Sequence, residues 1–282
     1  MKNGFLIINY RDAATTIRLL NNIKDYPNID QIVVVDNNSQ DNSVSLIEAT
    51  NIKNLVVLSS NVNHGYSAAI NIGVKYLASS LGSCRLIISN SDIIIKSSLD
   101  LEKIYQALTK DVVVVGPTVN EHGLINHGWH LPTPWQEVIL NIPYLGKHYE
   151  SKHLLYPKTY YQKESSVVEA VSGCFFATTS NFLKQINYFD EGVFLYYEEN
   201  ILATKVKQEH KKIMILNQVT IIHDHSLSID KSLHRLKKYN ILKASQIYFE
   251  RNYNRANIWQ LFFLHLTIFL TRILLFFKYL FF

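Results

Sequence analysis

Three features of the sequence predict an α/β fold, a parallel sheet with helices on both faces followed by an apolar helical tail. Continuous β-branched runs such as Ile32-Val33-Val34-Val35 and Val112-Val113-Val114-Val115 alternate with helical stretches, the pattern of strands buried on both sides. Polar clusters close several of these runs, and open α/β sheets bind ligands at the carboxyl ends of their strands. Residues 259–282 are almost wholly apolar, with only Arg272 and Lys278 charged.

The elements follow in order. Residues 5–8 form a first buried strand and residues 15–23 a helix. The run 32–35 is a second strand ending at Asp36, and helical signals span 43–49, with Asp41 or Asn42 suited to cap the first turn. A third strand takes 55–58, a helix 66–77, a fourth strand 86–89, a helix 99–108 and a fifth strand 112–115. From 117 to 165 periodicity is poor and histidines and tyrosines accumulate around Trp129 and Trp135. A segment of that length reads as a partly ordered, functional insertion. Regular patterning resumes at Val167.

The 282 residues suffice for one large or two small domains, and an apolar content of 48% supports a sizeable core. Cys84 and Cys174 lie far apart and read as reduced thiols of a cytosolic protein. The direct run from Met1 into the first strand leads us to expect no signal peptide. The net charge of +5 is concentrated late, with Lys231, Arg235, Lys237, Lys238, Lys243, Arg251 and Arg255 in one segment. Such a segment meets nucleic acid, anionic lipid or phosphorylated substrate; with no aromatic-basic RNA motif or zinc spacing, no nucleic-acid partner is expected. The uncharged run 256–271 falls short of the ~20 residues that a spanning helix needs. On a helical wheel Gln260, Thr267, Thr271 and Lys278 share one stripe, which suits a helix lying in a bilayer interface. A core or dimer helix is the alternative, so a homo-oligomer stays open. The adjoining basic segment favours the membrane surface.

The chemistry-bearing clusters lie mostly at strand ends. Asp36-Asn37-Asn38-Ser39 offers a carboxylate to a base or ribose, or else serves as a helix-entry turn. In Asn63-His64-Gly65-Tyr66-Ser67 and onward to Asn71, Gly65 permits close backbone approach and the small residues open the first helical turn. Neither a Gly-x-Gly-x-x-Gly fingerprint nor a P-loop is present. Asp92, closing Asn90-Ser91-Asp92, is a hard oxygen donor for a divalent cation, although the triplet is also ordinary turn chemistry. Adjacent acids Glu198 and Glu199 follow four apolar or aromatic residues; an apolar surround makes one a better general base, while a solvated helix start is the plainer reading. Helical geometry directs neighbours about 100° apart, so only one should face a given site. His223 packs at a strand end or, joined to Asp92, completes a metal site favouring Mn2+ over Mg2+.

Taken in order over residues 4–255, these clusters resemble the family-2 inverting glycosyltransferases with the GT-A fold, a Rossmann-like nucleotide-binding sheet. The resemblance is nearest to a bacterial rhamnosyltransferase-like polysaccharide branch. It rests on Asp36 to Ser39, Asn63-x-Gly65-Tyr66 through Asn71, Asn90-Ser91-Asp92, Ser172-Gly173-Cys174, Phe189-Asp190-Glu191, Phe194 to Glu199, His223 with Ser228, and Tyr248 to Asn252. It implies that Asp36, Asn38, Asn63, Gly65, Tyr66, Asn71 and Asn90 bind the nucleotide-sugar donor. It implies further that Asp92 and His223 hold the cation, Mn2+ or Mg2+. Glu199 would be the catalytic base, with Glu198 orienting it or, with Gly173 and Asp190, binding the acceptor. The donor would be a dTDP- or UDP-linked sugar such as rhamnose. The acceptor would be a polyprenyl-diphosphate-linked glycan of O-antigen or capsule synthesis, at the cytoplasmic face of the bacterial inner membrane. Residues 1–116 would bind the donor, 117–228 would carry the acceptor and the chemistry, and 229–282 would form the basic segment and tail. Trp129 and Trp135 suit core packing, or stacking on sugar rings. Five positions depart from the family pattern: Asn90, Glu199 and Ile201 each replace an Asp, and Asn187-Tyr188 replaces Gly-Gly.

Overall fold

The computed structural model describes residues 1–224 and 235–281, without the side chains of 235 and 275–281. The expected contacts of Ser228 and Lys231 and of the Arg235 and Lys278 side chains lie outside the described residues. A ten-stranded mixed sheet forms the centre. Strands β1 (Lys2–Asn9), β2 (Gln31–Asp36), β3 (Leu55–Ser59) and β4 (Cys84–Asn90) match the four expected runs. They pair in parallel in the order β3-β2-β1-β4. Helices α1 (Ala13–Ile23), α2 (Ser43–Glu48), α3 (Tyr66–Leu81) and α4 (Ser98–Ala107) separate them or follow β4. Ser97 caps α4, its side chain accepting from the Asp100 amide. Two apolar clusters sandwich the sheet, one around Leu6, Val33, Leu86 and Val114, the other around Phe5, Ile7, Val34 and Val115. Alternate residues of one strand feed opposite faces, as strand geometry requires.

The expectation of a purely parallel sheet is corrected beyond β4. Strand β9 (Phe175–Thr179) enters antiparallel between β4 and β6 (Val112–Glu121). The fifth expected strand, within β6, therefore runs in the direction of β4 without touching it. Strand β10 (Lys212–His223) then pairs parallel to β6 and carries short antiparallel neighbours β5 (Ile93–Ile94) and β8 (Ser165–Val168). Because β9 belongs to the second half and sits within the first, the two expected halves build one continuous sheet over the described residues 1–224.

The stretch 117–165 is more regular than its composition suggests. It continues β6, adds the hairpin strand β7 (Leu124–Asn126) and contains helices α5 (Pro134–Leu140) and α6 (Leu145–His153). Pro134 opens α5, and Gln136 Oε1 accepts from the Thr133 amide at 2.8 Å. After β9 come α7 (Ser180–Gln185) and α8 (Glu198–Gln208). Two helices end the chain, α9 (Arg235–Asn252) and α10 (Ile258–Phe281).

Of the polar stripe of α10, Thr271 meets the protein. Thr271 donates to the Asn141 carbonyl at 2.7 Å, Leu264 is buried, and Trp135 rests on Phe263. Ile258, Trp259, Phe262, Phe269, Leu270 and Leu274 are exposed. No helix among the described residues is long and apolar enough to cross a membrane. Lys243 of the basic segment is half-buried, and burial pulls its pKa down to about 8 against the opposing pull of Glu137.

Candidate active site

The floor of the site is a hydrogen-bonded junction of β4, α3 and the turn before β9. The Tyr66 hydroxyl reaches Asn90 Oδ1 at 2.7 Å and the Gly173 carbonyl at 3.3 Å. The Asn90 amide donates to the Cys174 carbonyl at 2.8 Å. Burial lifts the Tyr66 pKa well above its ordinary value, and the charges of Glu198, Asp92 and Glu199 add to this. The phenol therefore lies within electrostatic reach of all three carboxylates.

Gly65 shapes the donor side. It caps α3 with φ 98° and ψ 179°, a region open essentially only to glycine. The Tyr66 amide donates to the Phe194 carbonyl at 2.9 Å. A Cβ on Gly65 would lie 2.2 Å from that carbonyl oxygen. Asn63 Oδ1 accepts from the Gly65 amide and from Asn37 Nδ2, both at 3.0 Å. This turn thus fixes the 194–199 segment against the start of α3.

The catalytic candidates open α8 after two left-handed residues, Tyr196 at φ 71° and Tyr197 at φ 67°. Both carboxylates converge on Gly173: a Cβ there would lie 3.7 Å from Glu198 Oε1 and 3.7 Å from Glu199 Oε2. The expectation that only one of them faces the site is corrected, because the sharp turn at Tyr196-Tyr197 aims the whole first turn of α8 inward. Burial and the Glu199 charge push the Glu198 pKa well above the carboxylate range, and burial raises that of Glu199. Glu198 Oε2 and Glu199 Oε2 are buried with no hydrogen-bond partner among the described residues. Such unsatisfied oxygens are suited to accept from an incoming hydroxyl.

Across the Tyr66 floor, Asp92 and His223 meet where β10 passes β5. The backbone couples them as well, since the Asp224 amide donates to the Asp92 carbonyl at 2.9 Å. His223 Nε2 lies 3.2 Å from Asp92 Oδ1, a buried oxygen without a hydrogen-bond partner among the described residues. Burial opposes charge on His223, but Asp92 and Cys174 outweigh it and push the pKa up to about 11. The spacing of the two donors is close to the ~3 Å edge of an octahedron with bonds of about 2.1 Å. The pair therefore fits a divalent cation. The described residues hold no cluster of three or more acidic, His or Cys ligands, so remaining positions would fall to substrate oxygens and water.

Three residues expected to bind substrate also hold their own loops. Asp36 is 3% exposed; Asn9 Nδ2 donates to its Oδ1 at 2.6 Å, the Ser39 hydroxyl donates to the same oxygen, and the Ser39 amide donates to its Oδ2 at 3.0 Å. It closes its own turn, while half-buried Asn38 follows at φ 61°. Asn71 exchanges hydrogen bonds with the Phe189 backbone and also donates to Glu191, so it pins the 189–191 loop. Asp190 accepts from Gly192, Tyr248 and Tyr253. Burial raises its pKa, but these bonds and Lys205 more than offset that and leave it low. It anchors α9 through these tyrosines and lines a cavity with Asn71, Lys205 and Tyr253.

The departures from the family pattern have local explanations. Ile201 packs with Val193 and Phe249, so an apolar contact occupies the position of an acid. Asn187 and Tyr188 take φ 57° and 60°, the conformation that glycines would adopt freely. The Tyr188 amide donates to the Leu183 carbonyl, and Lys75 lies over the Tyr188 ring at 5.1 Å.

Two residues escaped the sequence reading. Glu121, at the end of β6, places its Oε1 3.0 Å from His223 Nδ1. Glu137, 1% exposed, accepts from the Tyr197 hydroxyl at 2.9 Å and from Gln246 at 2.6 Å. It ties α5 and α9 to the turn that aims the acid pair. In sequence, one resembles a hairpin acid and the other a dipole-complementing acid in a first helical turn. Trp129 also reaches this turn, donating to Asn200 Oδ1 at 3.1 Å.

Comparison with known proteins agrees with this architecture. GalNAc-T7, solved with UDP, GalNAc and Mn2+, superposes with a TM-score of 0.64 at 12% identity, over 88% of this chain and 48% of that one. The mannosyltransferase PcManGT of Pyrobaculum calidifontis, solved with GDP-Man and Mn2+, gives 0.58 at 14% identity, over 94% and 73%. Both share the GT-A-like fold. The low-salt glycan biosynthesis hexosyltransferase Agl10 of Haloferax volcanii is 26% identical over 224 residues, 78% of this chain and 66% of its own length. The model of the glycosyl transferase family 2 domain matches residues 5–186, so the chain belongs to glycosyl transferase family 2.

Proposed function

We propose that the protein transfers a hexose from a UDP- or dTDP-linked donor to a hydroxyl of a lipid-linked glycan, with inversion at the anomeric carbon. The observation that carries this reading is the convergence of Glu198 and Glu199 on Gly173, across the Tyr66 floor from Asp92 and His223. Asp92 and His223 hold a divalent cation, Mn2+ before Mg2+; when bound, it offsets charge on the departing nucleotide diphosphate. The Gly65 turn places the donor over the strand ends. Glu199 accepts the proton of the acceptor hydroxyl as its oxygen attacks from the face opposite the leaving group. Glu198, more deeply buried and raised by its neighbour's charge, stays protonated longer and orients the acceptor. Holding both substrates in line supplies much of the rate. A rhamnose donor and a role in O-antigen or capsule assembly remain part of this proposal.

The acceptor places the enzyme at the cytoplasmic face of a membrane, here proposed as the bacterial inner membrane. Support comes from the apolar outer face of α10 beside exposed Lys237, Arg251, Arg255 and Arg272, a pairing that suits an anionic bilayer surface.

Thermal-shift titration with nucleotide-diphospho-sugars and Mn2+ tests the donor reading. A UDP- or dTDP-sugar is expected to stabilise the wild type, and Asp92→Ala to lose most of that gain. No stabilisation by any nucleotide-sugar would overturn the reading.

A further inference from the structure

The carboxylate behind His223 has a geometry that the proposed cation site does not by itself require. Glu121 lies at the last position of β6, just before the β6–β7 turn. Its Oε1 is 3.0 Å from His223 Nδ1, and its Oε2 accepts from Asn126 Nδ2 at 2.6 Å across the hairpin. The hairpin is itself fixed, since Gly123 turns at φ 89° and its amide donates to Asn120 Oδ1 at 2.8 Å. The imidazole is thus clamped between two carboxylates of different function. One ring nitrogen lies 3.0 Å from Glu121 Oε1 and the other 3.2 Å from Asp92 Oδ1.

We infer that Glu121 is a positioning residue that keeps the His223 proton on Nδ1 and holds the ring so that Nε2 shares a divalent cation with Asp92. The inference rests on the cation role proposed for Asp92 and His223. An imidazole ligand coordinates through one nitrogen while the other donates a hydrogen bond that fixes tautomer and plane. Here Glu121 is the acceptor for that second nitrogen. A purely structural Glu121 would close the hairpin and leave cation affinity untouched.

The test reads binding, not turnover. Mn2+ affinity of the full chain is measured by calorimetry with UDP present, for wild type, Glu121→Gln, Glu121→Leu, His223→Ala and the Leu/Ala double variant. Gln keeps an acceptor and is expected to bind within about threefold of wild type. Leu fills similar space without an acceptor and is expected to weaken binding by about 10–100-fold. In the His223→Ala background, Glu121→Leu is expected to cost nothing further. Equal affinity of wild type and Glu121→Leu, or a full additional loss in the double variant, overturns the inference while leaving the cation site standing. No Mn2+ binding by wild type overturns both. Should Glu121→Leu fail to fold, nitrogen-15 spectra of wild type loaded with Mg2+ and UDP decide. They are expected to show His223 protonated on Nδ1 alone, and protonation on Nε2 overturns the inference.

Discussion

Substituting Gly65 by alanine strikes the joint between the donor turn and the catalytic turn. The new Cβ would lie 2.2 Å from the Phe194 carbonyl oxygen and 2.7 Å from its Cα. These are backbone atoms, so no side-chain rotation relieves the clash. The φ of 98° with ψ 179° adds strain of about 1–3 kcal/mol for a non-glycine residue. Overpacking contributes about 1–3 kcal/mol, and disturbing the bond from the Tyr66 amide to the Phe194 carbonyl costs about 1 kcal/mol. The total is about 3–7 kcal/mol. Gly82 supplies the control: its φ is 74° and nothing lies within 4 Å of its Cβ position, so Gly82→Ala carries only the backbone strain of about 1–3 kcal/mol. Phe194 lies four residues before Glu198, and a displacement near 1 Å at the acid pair lowers transfer about 100-fold. Urea denaturation and initial transfer rates of both variants read these effects. If Gly65→Ala proves no less stable than Gly82→Ala, or transfers at the wild-type rate, the close approach of the two turns is not what the structure implies.

Other perturbations separate the remaining parts. Glu250 is fully buried and its pKa is pushed up to about 8 by burial, with Glu137 adding to the effect. The native state then holds a proton that the unfolded chain releases near pH 4.5, so this group's contribution to stability falls as pH rises from about 4.5 to about 8. Glu250→Gln should remove that slope and gain up to about 5 kcal/mol relative to wild type above pH 8, read from melting curves across pH; an unchanged slope contradicts it. Tyr197→Phe removes one hydrogen bond to buried Glu137 and should cost about 1.5–3 kcal/mol, with kcat falling more than the donor KM rises. Replacing exposed Phe262 and Phe269 together by serine should change stability by under about 1 kcal/mol yet sharply reduce flotation with anionic vesicles. Flotation at the wild-type level would discount α10 as the membrane contact.

How much of this was legible in the sequence depended on range. The runs at 5–8, 32–35 and 86–89 announced their strands because burial on both faces leaves a nearly continuous apolar signature, and the half-buried edge run at 55–58 keeps the same apolar pattern. Strand β9 gave no comparable sign of its place: its pairing with β4 joins residues about 90 positions apart, and no local pattern encodes a neighbour. The same limit governed the site. Residue types suited to a cleft were visible at Asp36, Asn71 and Asp190, but what each side chain holds was not. Asn9, Phe189 and Tyr253 turned out to be their partners. Conversely, Glu121 and Glu137 carried no motif, and only their placement against His223 and Tyr197 sets them apart.

The central claim is that Glu199 acts on the acceptor while Asp92 and His223 hold the donor. Its most direct measurement pairs transfer kinetics with donor affinity in Glu199→Gln. The account predicts that kcat drops by about 10²–10⁴, while calorimetric binding of the nucleotide-diphospho-sugar with Mn2+ stays within a few-fold of wild type. Transfer at near wild-type rates, or loss of donor binding in step with kcat, would contradict it.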